Sequence, residues 1–206
     1  MKAHQLSQGT IWEGSFLEAP LEPGYTLAII DGPYGMNKAG WDKMGVDGLA
    51  DWYAPHFARV SSLLAPSASM YVWNTAEGWA RLDPGIRALG WTFRGLIVWD
   101  KSAPPSMLGW HTIKMWPDQT EVCGFYQRGA PHFALSECMG NVWQFSTKAL
   151  SLEQIKATQK TRHRGAERDV FAALHPSQKP LAFSERMIRA STRPGERVLI
   201  PFGGTK

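Results

Sequence analysis

The sequence predicts an α/β domain around a largely parallel sheet, and three observations carry the prediction. Short apolar, β-favouring runs alternate with segments of helical pattern. Several of these runs, Tyr25 to Ile30 and Ser69 to Trp73 among them, are bounded by turn residues and read as buried strands. Two strand ends carry unusual chemistry, Asp31 to Tyr34 and Pro201 to Thr205, and ligands of such sheets sit at the carboxyl ends of strands.

The elements follow in order. Tyr25 to Ile30 runs into a turn at Asp31-Gly32-Pro33. Asp47 is a candidate N-cap for a helix reaching about Leu64, with Leu49, Trp52, Tyr53, Phe57, Val60 and Leu64 on or near one face. A strand over Ser69 to Trp73 precedes a helix over Ala76 to Leu89, in which Pro84 marks the start or a break. Thr92 to Trp99 is a third strand, followed by a Pro-Pro loop. Glu121 to Gln127 and Asn141 to Phe145 are further strands, Ser184 to Ser191 is a helix, and Arg197 to Ile200 is a last strand. The 206 residues suffice for one core, so residues 1–206 are expected to form a single domain.

Composition excludes several classes. At 44% hydrophobic and 19% charged residues the chain is an ordinary globular one. No apolar run is long enough to span a bilayer, and the N-terminus carries no secretion signal. Cys123 and Cys138 have neither metal-ligand spacing nor a disulfide framework, which points to the cytoplasm and to no metal site. The net charge of +4 is compatible with a polyanionic partner. Ten tryptophans offer flat rings for bases, though most Trp residues fill cores.

Taken alone, Asp31-Gly32-Pro33-Tyr34 reads as an ordinary turn. It also suits a flat base bearing an amino group. That amine is a poor nucleophile while its lone pair is delocalised into the ring. An acceptor from Asp31 and a backbone carbonyl of the turn would hold it in a more tetrahedral geometry, and Tyr34 would stack on the extracted base.

The company of this turn favours the second reading. It resembles the Asp-Pro-Pro-Tyr motif of the amino-methyltransferases. Downstream, His175-Pro176-Ser177-Gln178-Lys179-Pro180 resembles the His-Pro-(Ser/Thr)-Gln-Lys-Pro motif of their permuted β group. Gly195 to Thr205 resembles the strand and Asp-Pro-Phe-x-Gly-(Ser/Thr) loop of that group. Trp99-Asp100-Lys101, Asp118 to Glu121 and Asn141-Val142-Trp143 are similar to weaker internal segments. The order of catalytic turn, Lys-Pro motif and glycine loop is the permuted one.

The resemblance implies a Rossmann-like, circularly permuted methyltransferase sheet. Asp31, Gly32, Pro33 and Tyr34 would be catalytic. Lys179, Pro180, Pro201, Phe202, Gly203, Gly204 and Thr205 would bind S-adenosylmethionine. In this family Asp or Asn at the head of the turn accompanies adenine N6 methylation, whereas Ser accompanies cytosine N4. Asp31 therefore implies adenine in double-stranded DNA, with a homodimer as a candidate assembly. Gly32 in place of the first proline is expected to loosen the turn. Ile200 and Ser15 stand where the family has acids, and the helix and strand that follow its glycine loop are absent. The chain is thus expected to be a fragment, incomplete at its C-terminus. A cytosine-N4 enzyme, an inactive nucleic-acid-binding relative and a generic Rossmann-like binding domain are the alternatives.

The polar segment 146–174 reads as a solvated loop or as a DNA-contacting insertion. In the second case, neutralising Arg162, Arg164 and Arg168 together weakens DNA binding. The log-log salt slope then falls by about 0.9 for each phosphate that is no longer neutralised. Titration at several salt concentrations checks this, and an unchanged slope assigns the segment to solvated surface.

Overall fold

The computed structural model describes residues 1–36, 42–101, 116, 118–136, 138–144 and 179–203. The expected Asn141 to Phe145 strand extends one residue beyond them. The segment 146–174, residues 175–178, Gly204 and Thr205 lie outside the described residues.

A hairpin of β1 (Lys2–Leu6) and β2 (Gly9–Glu13) opens the chain, in antiparallel register from Lys2 opposite Glu13 to Leu6 opposite Gly9. A 3-10 turn at Phe16–Glu18 follows. The main sheet contains β3 (Tyr25–Ile30), β4 (Leu64–Asn74), β5 (Thr92–Asp100), β6 (Thr120–Arg128), β7 (Val142–Gln144) and β8 (Val198–Leu199). Its order is β7-β5-β6-β4-β3-β8. The β3–β4, β3–β8 and β5–β7 pairs are parallel, while β6 runs antiparallel to both β4 and β5. Five of these strands therefore point one way, and β6 points back. β8, the last strand among the described residues, lies beside β3, whose carboxyl end leads into Asp31.

Both faces of the sheet are covered, so its central strands are apolar at successive positions. Ala28, Ile30, Met70 and Val72 face α1 (Leu49–Leu63) and α2 (Ala76–Ala88) in one core. Leu27, Ile29, Tyr71 and Trp73 face the other way, where Phe183 and Met187 of α3 (Leu181–Ser191) cover them. Trp73, Trp99 and Trp143 surround the Phe183 ring at centroid distances of 5.5, 5.4 and 5.2 Å. These tryptophans are core residues.

Helix boundaries differ from expectation for local reasons. Gly48, not Asp47, is the N-cap of α1, and Asp47 instead pairs with Arg81 of α2. Pro84 lies inside α2 rather than at its start or at a break. Pro84 is exposed, as is Ala80 one turn earlier, whose carbonyl it cannot serve. Thr75 caps α2 by accepting from the Gly78 N–H at 3.0 Å. α3 begins at Leu181, directly after Pro180, which fits the preference for proline at helix starts.

α1 passes into β4 with no loop between Leu63 and Leu64. Arg128, the last residue of β6, holds that corner. Its guanidinium donates to Ser61 Oγ (2.9 Å) and to the carbonyls of Ser61 (3.1 Å), Leu64 (3.1 Å) and Ala65 (3.2 Å). It also lies 4.7 Å from the Trp91 ring centroid. These carbonyls include the orphan acceptors at the helix end. Arg128→Leu is expected to cost about 2–3 kcal/mol, since bonds to charged groups are the stronger class and the carbonyls lose their partner. Arg128→Lys restores the charge without the planar fork and recovers little. Denaturant unfolding of both variants measures the difference.

Candidate active site

The turn Asp31-Gly32-Pro33-Tyr34 leaves the carboxyl end of β3. Because β6 is antiparallel, it begins where its neighbours end, and Glu121 arrives at the same rim. Lys101 follows the end of β5, and Lys179 precedes α3. These residues form one polar cluster. Lys179 Nζ lies 3.0 Å from Asp31 Oδ1 and 2.9 Å from Glu121 Oε2. Lys101 Nζ lies 2.7 Å from Glu121 Oε1. The Tyr34 hydroxyl is 3.1 Å from both Asp31 Oδ1 and Glu121 Oε2, and its single hydrogen serves one of them at a time. The Lys179 ammonium also lies 5.1 Å from the Tyr34 ring centroid, 5.7 Å from that of Trp73 and 5.9 Å from that of Trp99.

Burial and pairing set the protonation states. Burial raises the pKa of Asp31 above the ordinary carboxylate range, against the opposing pull of Lys179. Glu121 is also penalised by burial, but Lys179 and Lys101 outweigh that and hold it below the usual value. Burial depresses Lys179, yet Asp31 and Glu121 more than restore it, so it remains an ammonium. Burial, then the two carboxylates, pushes the Tyr34 phenol well up, so it acts as a donor.

A second set of side chains fixes the turn from beneath. Buried Asp42 accepts from the N–H groups of Gly35 (2.6 Å) and Met36 (3.0 Å). Gly35 has φ +70°, and a Cβ there would meet the Gly45 carbonyl. The Tyr53 hydroxyl donates to the Pro33 carbonyl at 3.1 Å, and Asn74 Nδ2 reaches the same oxygen at 3.4 Å. Gly32 is wedged between this hydroxyl and Phe202. A Cβ on Gly32 would lie 2.5 Å from Tyr53 Oη and 2.9 Å from the Phe202 ring. The space a side chain would need at Gly32 is thus filled.

Phe202 follows β8 and packs 5.7 Å from Trp52, 6.0 Å from Tyr53 and 5.5 Å from His56, centroid to centroid. It brings Pro201 and Gly203 beside the turn at Gly32. Gly203 faces open space. Pro180 is buried at the start of α3. Ile200 is half exposed, and Ser15 precedes the 3-10 turn without capping it through its side chain. Arg162, Arg164, Arg168, Gly204 and Thr205 lie outside the described residues. Among the described residues no cluster of three or more metal-ligating side chains occurs, and no helix is long and apolar enough to cross a membrane.

The model of the N6/N4 DNA methylase family matches residues 25–206. The chain belongs to that family. The chain is similar to the DNA adenine methyltransferase YhdJ of Escherichia coli K12, at 23% identity over 211 residues. The match covers 87% of the chain and 65% of YhdJ, so the chain spans less than two thirds of that relative. Among solved structures, the M1.HpyAVI–SAM complex aligns at TM-score 0.54 and 18% identity, covering 87% of this chain and 73% of that one. The cytosine-N4-specific PvuII DNA methyltransferase aligns at TM-score 0.62 and 16% identity, covering 89% and 69%. These structural likenesses establish the shared α/β methyltransferase fold.

Of the residues the sequence singles out, the structure places Asp31, Gly32, Pro33, Tyr34, Lys179 and Phe202 in contact at one rim of the sheet, with Pro201 and Gly203 flanking Phe202. Sequence reasoning singles out neither Glu121 nor Tyr53 as a site residue. The similarity of Asp118 to Glu121 to an acidic strand start is the signal for Glu121. Because the pKa of Glu121 is lowered, its stabilising contribution is present above the ordinary glutamate range and is lost as pH falls through the lowered value. Asp31 has the opposite sign, since protonating it relieves a burial cost. Glu121→Gln leaves Lys101 and Lys179 without their shared partner. It is expected to cost about 3 kcal/mol at neutral pH, and the difference from wild type should shrink as the solution is acidified. Thermal melts across pH check both the size and the trend.

Proposed function

We propose that this methylase transfers a methyl group to the N6 amine of adenine in duplex DNA, with S-adenosylmethionine as donor. The observation that carries the reading is the asymmetric use of the Asp31 carboxylate. Tyr34 and Lys179 both engage Oδ1, and Oδ2 is the oxygen we assign to the substrate amine. The Pro33 carbonyl is taken by Tyr53 and Asn74. The Gly32 carbonyl is then the turn's second acceptor. Two acceptors on one amine draw it out of conjugation with the ring and aim its lone pair away from them.

Asp31, held above the ordinary carboxylate range, accepts the proton that the amine releases once methylated. Lys179 and Tyr34 keep the carboxylate in place during this exchange. The Tyr34 ring supports the extracted base, a contact worth about 1–3 kcal/mol. The small and aromatic residues after β8 suit the donor: Gly203 has open space before its backbone, and Phe202 forms an apolar wall. When bound there, S-adenosylmethionine supplies the electrophilic methyl group. The name of YhdJ supports adenine as the base.

Incubation with tritiated S-adenosylmethionine and duplex DNA, followed by digestion to nucleosides, tests the proposal. Label in N6-methyladenosine that disappears in Asp31→Ala, with DNA retention nearly unchanged, is the expected result. Label in N4-methylcytosine reassigns the base. No transfer to any DNA overturns the reading.

A further inference from the structure

We infer that Tyr53 is a positioning residue of this site, and that its hydroxyl and the missing side chain of Gly32 form one interdependent unit. The inference rests on the proposed methyl transfer, because its readout is the rate of that reaction. Tyr53 belongs to the core of α1, fully buried, with its ring stacked 5.0 Å from Phe57 and edge-on to Trp52 at 4.8 Å. A core residue at this position needs a ring and no hydroxyl. The hydroxyl nonetheless points up into the catalytic turn, where it donates to the Pro33 carbonyl at 3.1 Å. Burial first, then the carboxylates of Asp31 and Asp42, pushes its pKa well up, so the donor proton is always present.

The same oxygen fills the volume that any residue larger than glycine needs at position 32. An added Cβ there would lie 2.5 Å from it, a separation that forces something to move. Phe202 stands on the far side at 2.9 Å and, being partly exposed, has more room to yield than fully buried Tyr53. The hydroxyl therefore does two things at once. It bars a side chain at Gly32, and it anchors the peptide after Pro33 so that a turn containing glycine keeps a fixed shape. Glycine is the most permissive residue in φ and ψ, so the anchor supplies the constraint that a stiffer residue at position 32 would build in. Buried Asn74 reaches the same carbonyl from β4, but at 3.4 Å it is the weaker contact.

The test is a double-mutant cycle with Tyr53→Phe, Gly32→Ala and the two combined. For each protein kcat, KM for duplex DNA and the melting temperature are measured. Tyr53→Phe keeps the ring and its packing. It is expected to lower kcat by about 10- to 100-fold, the range that misplacement of a reacting group produces, with KM and melting temperature close to wild type. Gly32→Ala alone is expected to lose activity almost completely. Added to Tyr53→Phe, the same alanine meets no hydroxyl, so the double variant should outperform Gly32→Ala alone. Wild-type kcat in Tyr53→Phe, or losses that simply multiply in the double variant, would overturn the inference while leaving the proposed function standing. A wild-type protein that transfers no methyl group to DNA strikes the proposed function itself, and this inference with it.

Discussion

Two carboxylates within reach of one phenol repel each other unless a cation lies between them, and in this molecule the cation is Lys179. Its ammonium meets Asp31 and Glu121 at about equal distance and is walled by the Tyr34, Trp73 and Trp99 rings. The central strands each contribute to this cluster or to its surroundings. Asp31 follows β3, Trp73 and Asn74 end β4, Trp99 lies on β5 with Lys101 just after it, and Glu121 lies on β6. The sheet order is what allows it. Were β6 parallel, Glu121 would lie at the opposite end of the sheet and the ammonium would face Asp31 alone.

The same cluster separates the two acids chemically. Glu121 carries two cationic partners and is held down, whereas Asp31 shares one and is pushed up by burial. Two carboxylates a few ångströms apart thus differ in proton affinity through their surroundings alone. The more basic of them stands at the head of the turn. Glu121 serves as a fixed counter-charge, so the lysine need not neutralise Asp31 fully.

Much of this is legible in the sequence. Central strands such as Tyr25–Ile30 coincide with their apolar runs, because both faces are buried and nothing polar interrupts them. The family is legible because the turn at Asp31 and the Lys-Pro motif are short, local patterns. The opening hairpin escapes a sequence reading because its strands are largely exposed, so no alternation of polar and apolar residues marks it. The strand over Ser69–Trp73 reads too short because Pro66 looks like a boundary, yet β4 runs straight from the helix end. Partnerships across the chain are illegible in principle. Lys179 and Asp31 are 148 positions apart, and Glu121 gains its meaning only from the direction of β6. Periodicity places Tyr53 on the buried helix face, where the structure has it. Its hydroxyl becomes informative only once the turn lies above it.

The reversed strand also has an evolutionary corollary. β5 ends and β6 begins at the same rim, so the chain linking Asp100 to Thr120 departs from the site and returns to it. A linker of this kind is a module. Both of its anchor points are fixed by pairing, Asp100 opposite Thr120, and Lys101 at its start is held by Glu121. Selection acting on such a segment changes what surrounds the acids and leaves the acids where they are. Divergence among chains of this architecture is then expected to concentrate in that linker, while the strand ends it joins stay constant in spacing.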